Sequence, residues 1–373
     1  MAVHTFAFPT TIHFGPGARK LAATHLKEAG CKRPLVVTDR GIAALPMLGE
    51  FVATLTGLEA GVYSGVEGNP VAAQVRAGVD AYRTRRADAV VGFGGGAALD
   101  VAKAVALMAV YPGDVLEYAW DHPGARPIEK PLPHFVAVPT TAGTGSEVGR
   151  SSVISDDVTH VKRILFSPAL LAKAVFADPE LTLALPAPVT AATGMDALTH
   201  NIESYLSSAY HPFCDGIALE GVRIAARALP VAVKQPGNLR ARSDMLMASM
   251  MGAIAFQKDL GAVHSCAHAL STVAGLHHGL ANGVMIDHVM RFNRQEAGTK
   301  MAELARVAGA ADLIAWLAML KAEIGIPAKL GSLGVTKEHL PRLATIAFAD
   351  ICHRTNPRAC TQRDFEALFA EAI

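Results

Sequence analysis

The chain of 373 residues is longer than a single hydrophobic core usually requires, so two domains are expected. It is 51% hydrophobic and 18% charged, which excludes a largely disordered protein. Its formal net charge of +1 provides no general attraction for nucleic acid or for an anionic membrane.

The composition also bears on where the protein works. Residues Met1–Phe6 lack a basic segment followed by an apolar one, so we expect no signal peptide. The strongest apolar run, residues 245–256, falls short of the roughly 20 residues that span a bilayer. The five cysteines are scattered and form no C-x-x-C pair, which favours a reducing compartment over a disulfide framework. We therefore predict a cytoplasmic protein without a nucleic-acid or membrane partner.

The first half alternates short β-branched runs with helical patterns. Buried strands are predicted at residues 35–39, 89–93 and 135–138, and amphipathic helices at 72–86 and 99–108. Residues 121–133 are rich in proline and charge and are typical of a surface loop. Strand–helix alternation predicts an α/β domain with a parallel sheet and flanking helices.

A glycine-rich segment follows the second of these strands and opens a helix. Gly94, Gly95 and Gly96 would let the backbone approach a pyrophosphate at the helix N-terminus, although a tight turn without a ligand explains them equally well. A second loop, residues 139–147, also follows a strand and is rich in hydroxyl groups and backbone donors. Two such loops at the carboxyl ends of strands indicate a ligand crevice.

The acidic residue of a dinucleotide site is displaced in this sequence. The usual Rossmann fingerprint has an acidic residue about 20 positions after the glycines, whereas Asp39 precedes them. At the end of a predicted strand, Asp39 could accept a hydrogen bond from a ribose hydroxyl and repel a 2′-phosphate, which favours NAD over NADP. A simple turn-initiating role before Gly41 explains Asp39 equally well.

The second half has a different character. Beyond about residue 183, strand-like runs nearly vanish and long helical patterns rich in Ala, Leu and Met dominate. We therefore predict a nucleotide-binding α/β domain over residues 1–182 and an α-helical metal-binding and catalytic domain over residues 183–373. Pro188 fits the first turn of the helix that carries Asp196 and His200.

That helix begins a candidate metal site. Asp196 and His200 are four residues apart and share one helical face, and His264, His268 and His278 follow on later helices. A carboxylate with imidazoles suits Fe²⁺ or Zn²⁺, although buried core histidines are common. A metal ion beside a dinucleotide indicates alcohol chemistry, in which the metal acts as a Lewis acid on the substrate oxygen and a hydride moves to or from nicotinamide. His268 is placed either to relay the hydroxyl proton or to fill the core.

Taken together, these motifs resemble the iron-containing (group III) alcohol dehydrogenase family over essentially the whole chain. The resemblance implies the dehydroquinate synthase-like fold, in which an α/β nucleotide-binding domain is followed by an all-α domain, with the active site in the cleft between them and at least a dimeric assembly. It implies the metal ligands Asp196, His200, His264 and His278, with His277 competing for the last place although His278 directly precedes Gly279. The implied cofactor contacts are Asp39, Asn69, Gly95, Gly96, Thr140, Thr141, Thr144 and Lys162.

The chain departs from the family pattern at two positions. Ala97 replaces the usual serine after the glycines, and Gly149 replaces a commonly larger residue. Segments 255–261, 276–279 and 356–358 resemble a branch that includes 4-hydroxybutyrate dehydrogenases. The expected substrate is therefore a small primary alcohol or aldehyde, such as an ω-hydroxy acid or its semialdehyde. Gln257, Lys258 or Arg150 is hypothesised to bind the substrate carboxylate, with surface solvation favoured for each.

The sequence leaves three alternative functions to consider. A lyase of the dehydroquinate synthase type needs a dense set of Lys and Arg, which the second half lacks. A metal-independent reductase of the maleylacetate type shares the fold, but the complete ligand set argues against it. A non-catalytic nucleotide-binding protein would leave that ligand set without a purpose.

Overall fold

The computed structural model describes Phe8 and residues 10–373. The expectation of no signal peptide concerns Met1–Phe6 and lies outside the described residues. Within the described part of the chain, no helix combines the length and apolarity that crossing a bilayer requires. All five cysteines are free thiols.

The chain folds into two compact units. The first, here called the sheet unit, comprises the described residues up to Thr141 together with Ser146–Thr182. The second, here called the helical unit, comprises Ala142–Gly145 and Leu183–Ile373. Residues 142–145 therefore belong to the helical unit, whereas the residues on either side of them belong to the sheet unit.

The sheet unit contains a six-stranded parallel sheet. Its strands are β1 (Thr11–Phe14), β2 (Pro34–Asp39), β3 (Gly61–Val66), β4 (Ala89–Gly94), β5 (His134–Pro139) and β8 (Ala174–Ala177), in the order β1-β8-β5-β4-β2-β3. The strands β6 (Ser151–Ser155) and β7 (Lys162–Phe166) form a separate antiparallel pair. The central strands are almost wholly buried and rich in valine, as expected where helices cover both faces of a sheet.

Among the described residues, this unit has five α-helices: α1 (Ala22–Glu28), α2 (Arg40–Ala43), α3 (Pro46–Thr54), α4 (Ala72–Thr84) and α5 (Gly96–Met108). The predicted strands at 35–39, 89–93 and 135–138 and the helices at 72–86 and 99–108 are confirmed, with ends shifted by up to three residues. Residues 121–133 contain neither helix nor strand, as predicted. The predicted α/β fold class is confirmed for this unit.

The helical unit follows. Its α-helices are α6 (Ala187–Leu206), α7 (Pro212–Lys234), α8 (Leu239–Ala255), α9 (Ala262–Ala274), α10 (His278–Val307), α11 (Leu313–Ile324), α12 (Leu340–Ala349) and α13 (Gln362–Ala372). Pro188 lies in the first turn of α6, where its missing N–H costs no hydrogen bond. Helix α6 is buried along almost its whole length, so its polar side chains face other helices. The all-α second half is confirmed.

Candidate metal centre and nucleotide loops

Helix α6 carries three buried ionisable side chains on successive turns. Asp196, His200 and Glu203 expose at most 4% of their surface. The spacing of four and then three residues keeps all three on one side of the helix. Because buried charges are costly unless they are paired, each of these groups requires a partner from another element.

Helix α10 approaches α6 closely because its second residue is glycine. A Cβ atom at Gly279 would lie only 2.3 Å from the carbonyl oxygen of Ala192 on α6, so any side chain there would push the helices apart. This close approach places the preceding residue, His278, beside Asp196. The requirement for Gly279 after the histidine therefore has a steric cause.

The four predicted ligands come together in the helical unit. The Nε2 atoms of His200, His264 and His278 lie 3.8, 3.7 and 3.4 Å from the same oxygen, Oδ1 of Asp196. One ligand atom from each of the four residues falls within 4.8 Å of all the others. His277 points elsewhere, because its Nδ1 accepts a hydrogen bond from the backbone N–H of Leu280 and caps α10.

The side-chain amide of Asn282 lies against three of the four candidate ligands. Its Nδ2 atom is 2.8 Å from Asp196 Oδ1, 3.3 Å from His264 Nε2 and 3.2 Å from His278 Nε2. The buried Oδ1 of Asn282 has no hydrogen-bond partner among the described residues. One carboxylate and three imidazoles form a donor set that fits Fe²⁺ or Zn²⁺.

Glu203 supports the cluster from behind His264. Its Oε2 lies 2.6 Å from His264 Nδ1, and its Oε1 accepts a hydrogen bond of 2.7 Å from the backbone N–H of Val263 at the start of α9. With the Nδ1 proton held by the carboxylate, the Nε2 atom is directed at the ligand cluster. Glu203 is absent from the site residues predicted from the sequence, although its position three residues after His200 is a usable signal.

The electrostatics of the cluster follow from these contacts. Burial opposes ionisation of Asp196, yet the surrounding imidazoles hold its pKa well below the ordinary value. Burial lowers the pKa of His200 to about 4, only partly offset by Asp196. Burial also disfavours charge on His264, but Asp196 and Glu203 outweigh it and raise the pKa of His264 to about 9. The site is thus an anionic centre that already attracts one positive charge.

His268 lies beside the four ligands but outside their cluster. Its ring stacks on that of His278 with centroids 5.2 Å apart, and its Nδ1 lies 2.8 Å from Oδ2 of Asp350. A side-chain exposure of 19% distinguishes it from a fully buried core histidine. The carboxylate holds the Nδ1 proton and leaves Nε2 as the acceptor.

In the sheet unit, the predicted phosphate loop has the geometry of a cradle. Gly94 has φ of +155°, a conformation that favours glycine, and a Cβ atom there would lie 2.6 Å from that of Ala98. Gly95 is the N-cap of α5 without any side-chain cap, so the first N–H groups of the helix are available to an anion. Thr141 packs against Gly95, since a Cβ at Gly95 would approach Thr141 Cγ2 to 3.2 Å. The buried hydroxyl of Thr140 has no hydrogen-bond partner among the described residues.

Asp39 caps a short helix with one of its two carboxylate oxygens. Its Oδ1 caps α2 by accepting from the N–H of Ile42 at 2.8 Å. Its Oδ2 lies 3.3 Å from where a Cβ of Gly94 would be, so the carboxylate also borders the glycine loop. The helix-capping role therefore leaves one oxygen at the loop.

The remaining predicted cofactor residues are more dispersed. Asn69 is exposed in the bend between β3 and α4. Lys162 begins β7 and is close enough to Asp100 to favour its ionisation, although burial dominates and raises the pKa of Asp100. Thr144 belongs to the segment 142–145 of the helical unit.

Lys103 is a further organising residue of the sheet unit. It is fully buried, and its Nζ donates to the carbonyl oxygens of Ser146, Gly149 and Ser151 at 2.6–3.1 Å. Gly149, whose backbone is part of this arrangement, has room for a side chain, because an added Cβ would have no contact under 3.5 Å. Lys103 therefore shapes the end of the second glycine-containing loop.

Surface solvation is wrong for one of the three residues considered for binding a substrate carboxylate. Lys258 is 2% exposed, and its Nζ lies 2.5 Å from Asp215 Oδ1 and 3.3 Å from the carbonyl oxygen of Tyr205. Lys258 therefore forms an ion pair with Asp215 within the helical unit. Gln257 donates to the carbonyl oxygen of Ile254, and the guanidinium of Arg150 lies 5.6 Å from the ring centroid of Phe166.

Comparison with known proteins gives a consistent result over the whole chain. Residues 9–179 match the family model described as iron-containing alcohol dehydrogenase, and residues 190–373 match the C-terminal model of the Fe-containing alcohol dehydrogenase family. The chain is similar to 4-hydroxybutyrate dehydrogenase from Cupriavidus necator, with 36% identity covering 98% of both chains. It resembles the crystal structure of 1,3-propanediol oxidoreductase with a TM-score of 0.94 and 36% identity, covering 99% of this chain and 100% of that one. It also resembles sulfoacetaldehyde reductase from Bifidobacterium kashiwanohense in complex with NAD⁺, with a TM-score of 0.90 and 28% identity, covering 100% of this chain and 99% of that one.

Proposed function

Because the chain belongs to the iron-containing alcohol dehydrogenase family, we propose that it transfers a hydride between NAD(H) and a small primary alcohol or its aldehyde. The observation that carries the proposal is the convergence of Asp196, His200, His264 and His278 on one point. These residues would hold the metal ion, and their donor set of one carboxylate and three imidazoles fits Fe²⁺ or Zn²⁺.

The candidate ligands and Glu203 have different roles in binding the metal. When bound, a divalent ion there supplies Lewis-acid stabilisation of negative charge on a substrate oxygen. Asp196 offsets part of the cation's charge, and its low pKa keeps it ionised across the physiological range. Glu203 orients His264 through its Nδ1, so the Nε2 atom already points at the metal position and only has to release its proton.

The proton of the alcohol is assigned to His268. Asp350 accepts from His268 Nδ1, which fixes the tautomer whose Nε2 can accept a proton. Asp350 itself acts as a positioning residue, because it reaches the reaction only through the ring of His268. Its other oxygen, Oδ1, accepts from Ser265 Oγ and from the N–H of Cys352, both at 2.8 Å, so the carboxylate cannot easily rotate.

The glycine loop of the sheet unit is proposed to bind the pyrophosphate of NAD. Gly95 and Gly96 present the open N-terminus of α5, and the unpartnered hydroxyl of Thr140 supplies a further donor. Asp39 favours NAD over NADP, because a 2′-phosphate at the loop border would face its carboxylate. The NAD⁺ complex of the related sulfoacetaldehyde reductase supports this choice.

The expected substrate is an ω-hydroxy acid such as 4-hydroxybutyrate, or its semialdehyde. The relative from Cupriavidus necator, a 4-hydroxybutyrate dehydrogenase, supports this class, whereas the related 1,3-propanediol oxidoreductase is named for an uncharged diol. Steady-state kinetics with succinic semialdehyde and butanal distinguish the two cases. Equal kcat/KM for both aldehydes would reject recognition of the carboxylate.

The metal-dependent reaction is tested by comparing neighbouring histidines. His278→Ala is expected to lose bound metal and turnover, whereas His277→Ala removes the cap on the Leu280 N–H and is expected to keep both, at a cost of about 0.5–2 kcal/mol of stability. Metal content and NADH absorbance are measured on both folded variants. Full turnover by the His278 variant, or by wild type stripped with a chelator, would favour the metal-independent maleylacetate-type reaction instead.

The cell compartment and the assembly stay predictions. Five free thiols support a reducing, cytoplasmic setting. A homodimer or larger homo-oligomer is expected from the family.

A further inference from the structure

A second group of potential metal ligands lies next to the four-ligand cluster. His268 on α9, Asp350 at the end of α12 and Cys352 two residues later each offer a ligand atom within 4.8 Å of the other two. None of the three belongs to the Asp196 cluster. We propose that these residues form a distinct zinc site, and that Zn²⁺ bound there inhibits the enzyme.

The donor types are those that zinc selects. A thiolate, an imidazole and a carboxylate are all normal zinc ligands, and three protein ligands leave a fourth position for water. The thiolate also separates this site from the cluster of Asp196 and three imidazoles, which contains no sulfur. A thiophilic ion is therefore favoured here over Mg²⁺ or Ca²⁺, which prefer oxygen ligands.

The carboxylate is already held in place for this role. Asp350 Oδ1 accepts from Ser265 Oγ and from the backbone N–H of Cys352, each at 2.8 Å. Ser265 Oγ in turn accepts from the backbone N–H of His353 at 3.0 Å, which ties the segment carrying Cys352 to α9. These bonds fix the backbone of two ligands and leave Oδ2 facing His268.

The geometry needs only a small opening to admit the ion. His268 Nδ1 and Asp350 Oδ2 are 2.8 Å apart, whereas two N or O ligands of a tetrahedral zinc lie about 3.3 Å apart at bond lengths of 2.0–2.1 Å. A separation of about half an ångström is within the reach of side-chain rotation. A zinc-bound sulfur would lie about 3.6 Å from each of these atoms, which is compatible with the 4.8 Å envelope.

Proton balance is straightforward. Burial and the Asp350 carboxylate raise the pKa of Cys352, so the thiol is protonated before metal binding. Zinc displaces that proton to solvent, and the Nδ1 proton of His268 is replaced by the metal and moves to Nε2. No oxidation or reduction occurs.

The consequence for catalysis rests on the proposed function. With zinc on Nδ1, His268 carries its proton on Nε2 and can no longer accept the hydroxyl proton of the substrate. Asp350 is at the same time drawn away from the hydrogen bond that orients the ring. Zinc at this site is therefore expected to lower kcat while KM for the nicotinamide cofactor is unchanged.

The site is tested spectroscopically, independently of activity. Purified metal-free protein is titrated with Co²⁺, which reports a thiolate ligand by a near-ultraviolet charge-transfer band. The first equivalent is expected to fill the sulfur-free cluster and give no such band, and the second is expected to produce it. Cys352→Ser should abolish the band, whereas Cys31→Ser, a buried thiol of the sheet unit, should leave it intact.

Two outcomes would overturn the proposal. One is the absence of a charge-transfer band when wild type is saturated with Co²⁺, and the other is its persistence in Cys352→Ser. If Cys352→Ser does not fold, zinc X-ray absorption of wild type gives the same decision, since the second equivalent must add a sulfur neighbour at about 2.3 Å.

Activity measurements separate this inference from the proposed function. Cys352→Ser keeps the backbone N–H that holds Asp350, so without added zinc it should keep wild-type turnover. Its half-inhibitory Zn²⁺ concentration should rise by about tenfold or more. A cobalt band without NAD-linked turnover would uphold the site and reject the proposed function. NAD-linked turnover without the cobalt band would uphold the proposed function and reject the zinc site.

Discussion

Replacing Glu203 by glutamine tests how far the residues behind the ligands determine metal affinity. Glu203 accepts three hydrogen bonds: from Val263 N at 2.7 Å, from His264 N at 3.3 Å and from His264 Nδ1 at 2.6 Å. The substitution keeps the size of the side chain but exchanges one acceptor oxygen for an NH₂ donor. It therefore changes the hydrogen bonding without creating a cavity.

The conflict that follows is specific. If the NH₂ group replaces Oε2, it faces two N–H donors of His264, the backbone N–H and the Nδ1–H of the ring. The ring can relieve its own clash only by moving the Nδ1 proton to Nε2. That tautomer has lost the lone pair that the metal requires. If the NH₂ group replaces Oε1 instead, the N–H of Val263 at the buried N-terminus of α9 is left without an acceptor. Both arrangements penalise the metal-bound state or the fold.

The expected effect is a 10–100-fold loss of metal affinity, which corresponds to about 1.4–2.7 kcal/mol. Affinity is measured by competition with a chromophoric chelator, with circular dichroism to confirm folding. Glu220→Gln is the matched control, because it removes the same charge from an exposed ion pair with Arg223. Such a surface pair contributes at most about 1 kcal/mol to stability and should not affect the metal.

Two results would refute this reasoning. One is Glu203→Gln binding the metal as tightly as wild type. The other is a loss of affinity in the Glu220 variant equal to that in the Glu203 variant, since a general effect of charge would then suffice.

Three further predictions follow from the charges and the backbone. The pKa of His264 is raised to about 9 because Asp196 and Glu203 outweigh burial, so metal binding at neutral pH should release about one proton. Calorimetry in buffers of different ionisation enthalpy measures the number of protons released. Zero release would contradict the role of His264 as a metal ligand. Burial raises the pKa of Glu147 from 4.5 to about 7, so the folded state keeps a proton that the unfolded chain has lost. The contribution of Glu147 to the free energy of unfolding should therefore fall by up to about 3 kcal/mol as pH rises through this window, opposite in sign to that of His200, whose pKa is lowered to about 4. Glu147→Gln should remove this contribution, so that the free energy of unfolding in chemical denaturation rises more steeply with pH than in wild type, and an unchanged pH profile would contradict the prediction. Asp259 has φ of +67° and ψ of 179°, a region normally reserved for glycine. Relief of about 1–3 kcal/mol of strain, less about 0.4–1 kcal/mol for the greater entropy of glycine in the unfolded chain, should make Asp259→Gly more stable than wild type by up to about 2 kcal/mol in the same assay. Equal or lower stability would show that the strain is compensated.

Much of the fold and the candidate ligand set could be predicted from local patterns. Period-two and period-3.6 hydrophobicity located the central strands and the helices, because these periodicities follow from backbone geometry alone. The spacing of Asp196 and His200 on one helical face, and the position of His278 before Gly279, likewise belong to short stretches of chain. Such features are determined by residues close together in sequence.

The supporting contacts could not be predicted in this way. His268 and Asp350 are 82 positions apart, Asp196 and Asn282 are 86 apart, and Glu203 meets Val263 across 60. Lys258 lies in a segment that suggested an exposed cation, yet its ammonium group is buried against Asp215. A charged residue gives no local sign of which distant partner will neutralise it.

The sequence by itself therefore determined the two fold classes, the glycine loop and the identities of the candidate ligands. Tertiary structure alone decided which imidazoles share Asp196 Oδ1, which carboxylates fix their tautomers, and that Cys352 joins His268 and Asp350. The physical reason is that buried polar groups are satisfied by whatever helix packing brings within about 3 Å. That packing depends on contacts such as Gly279 against Ala192, which no short segment contains.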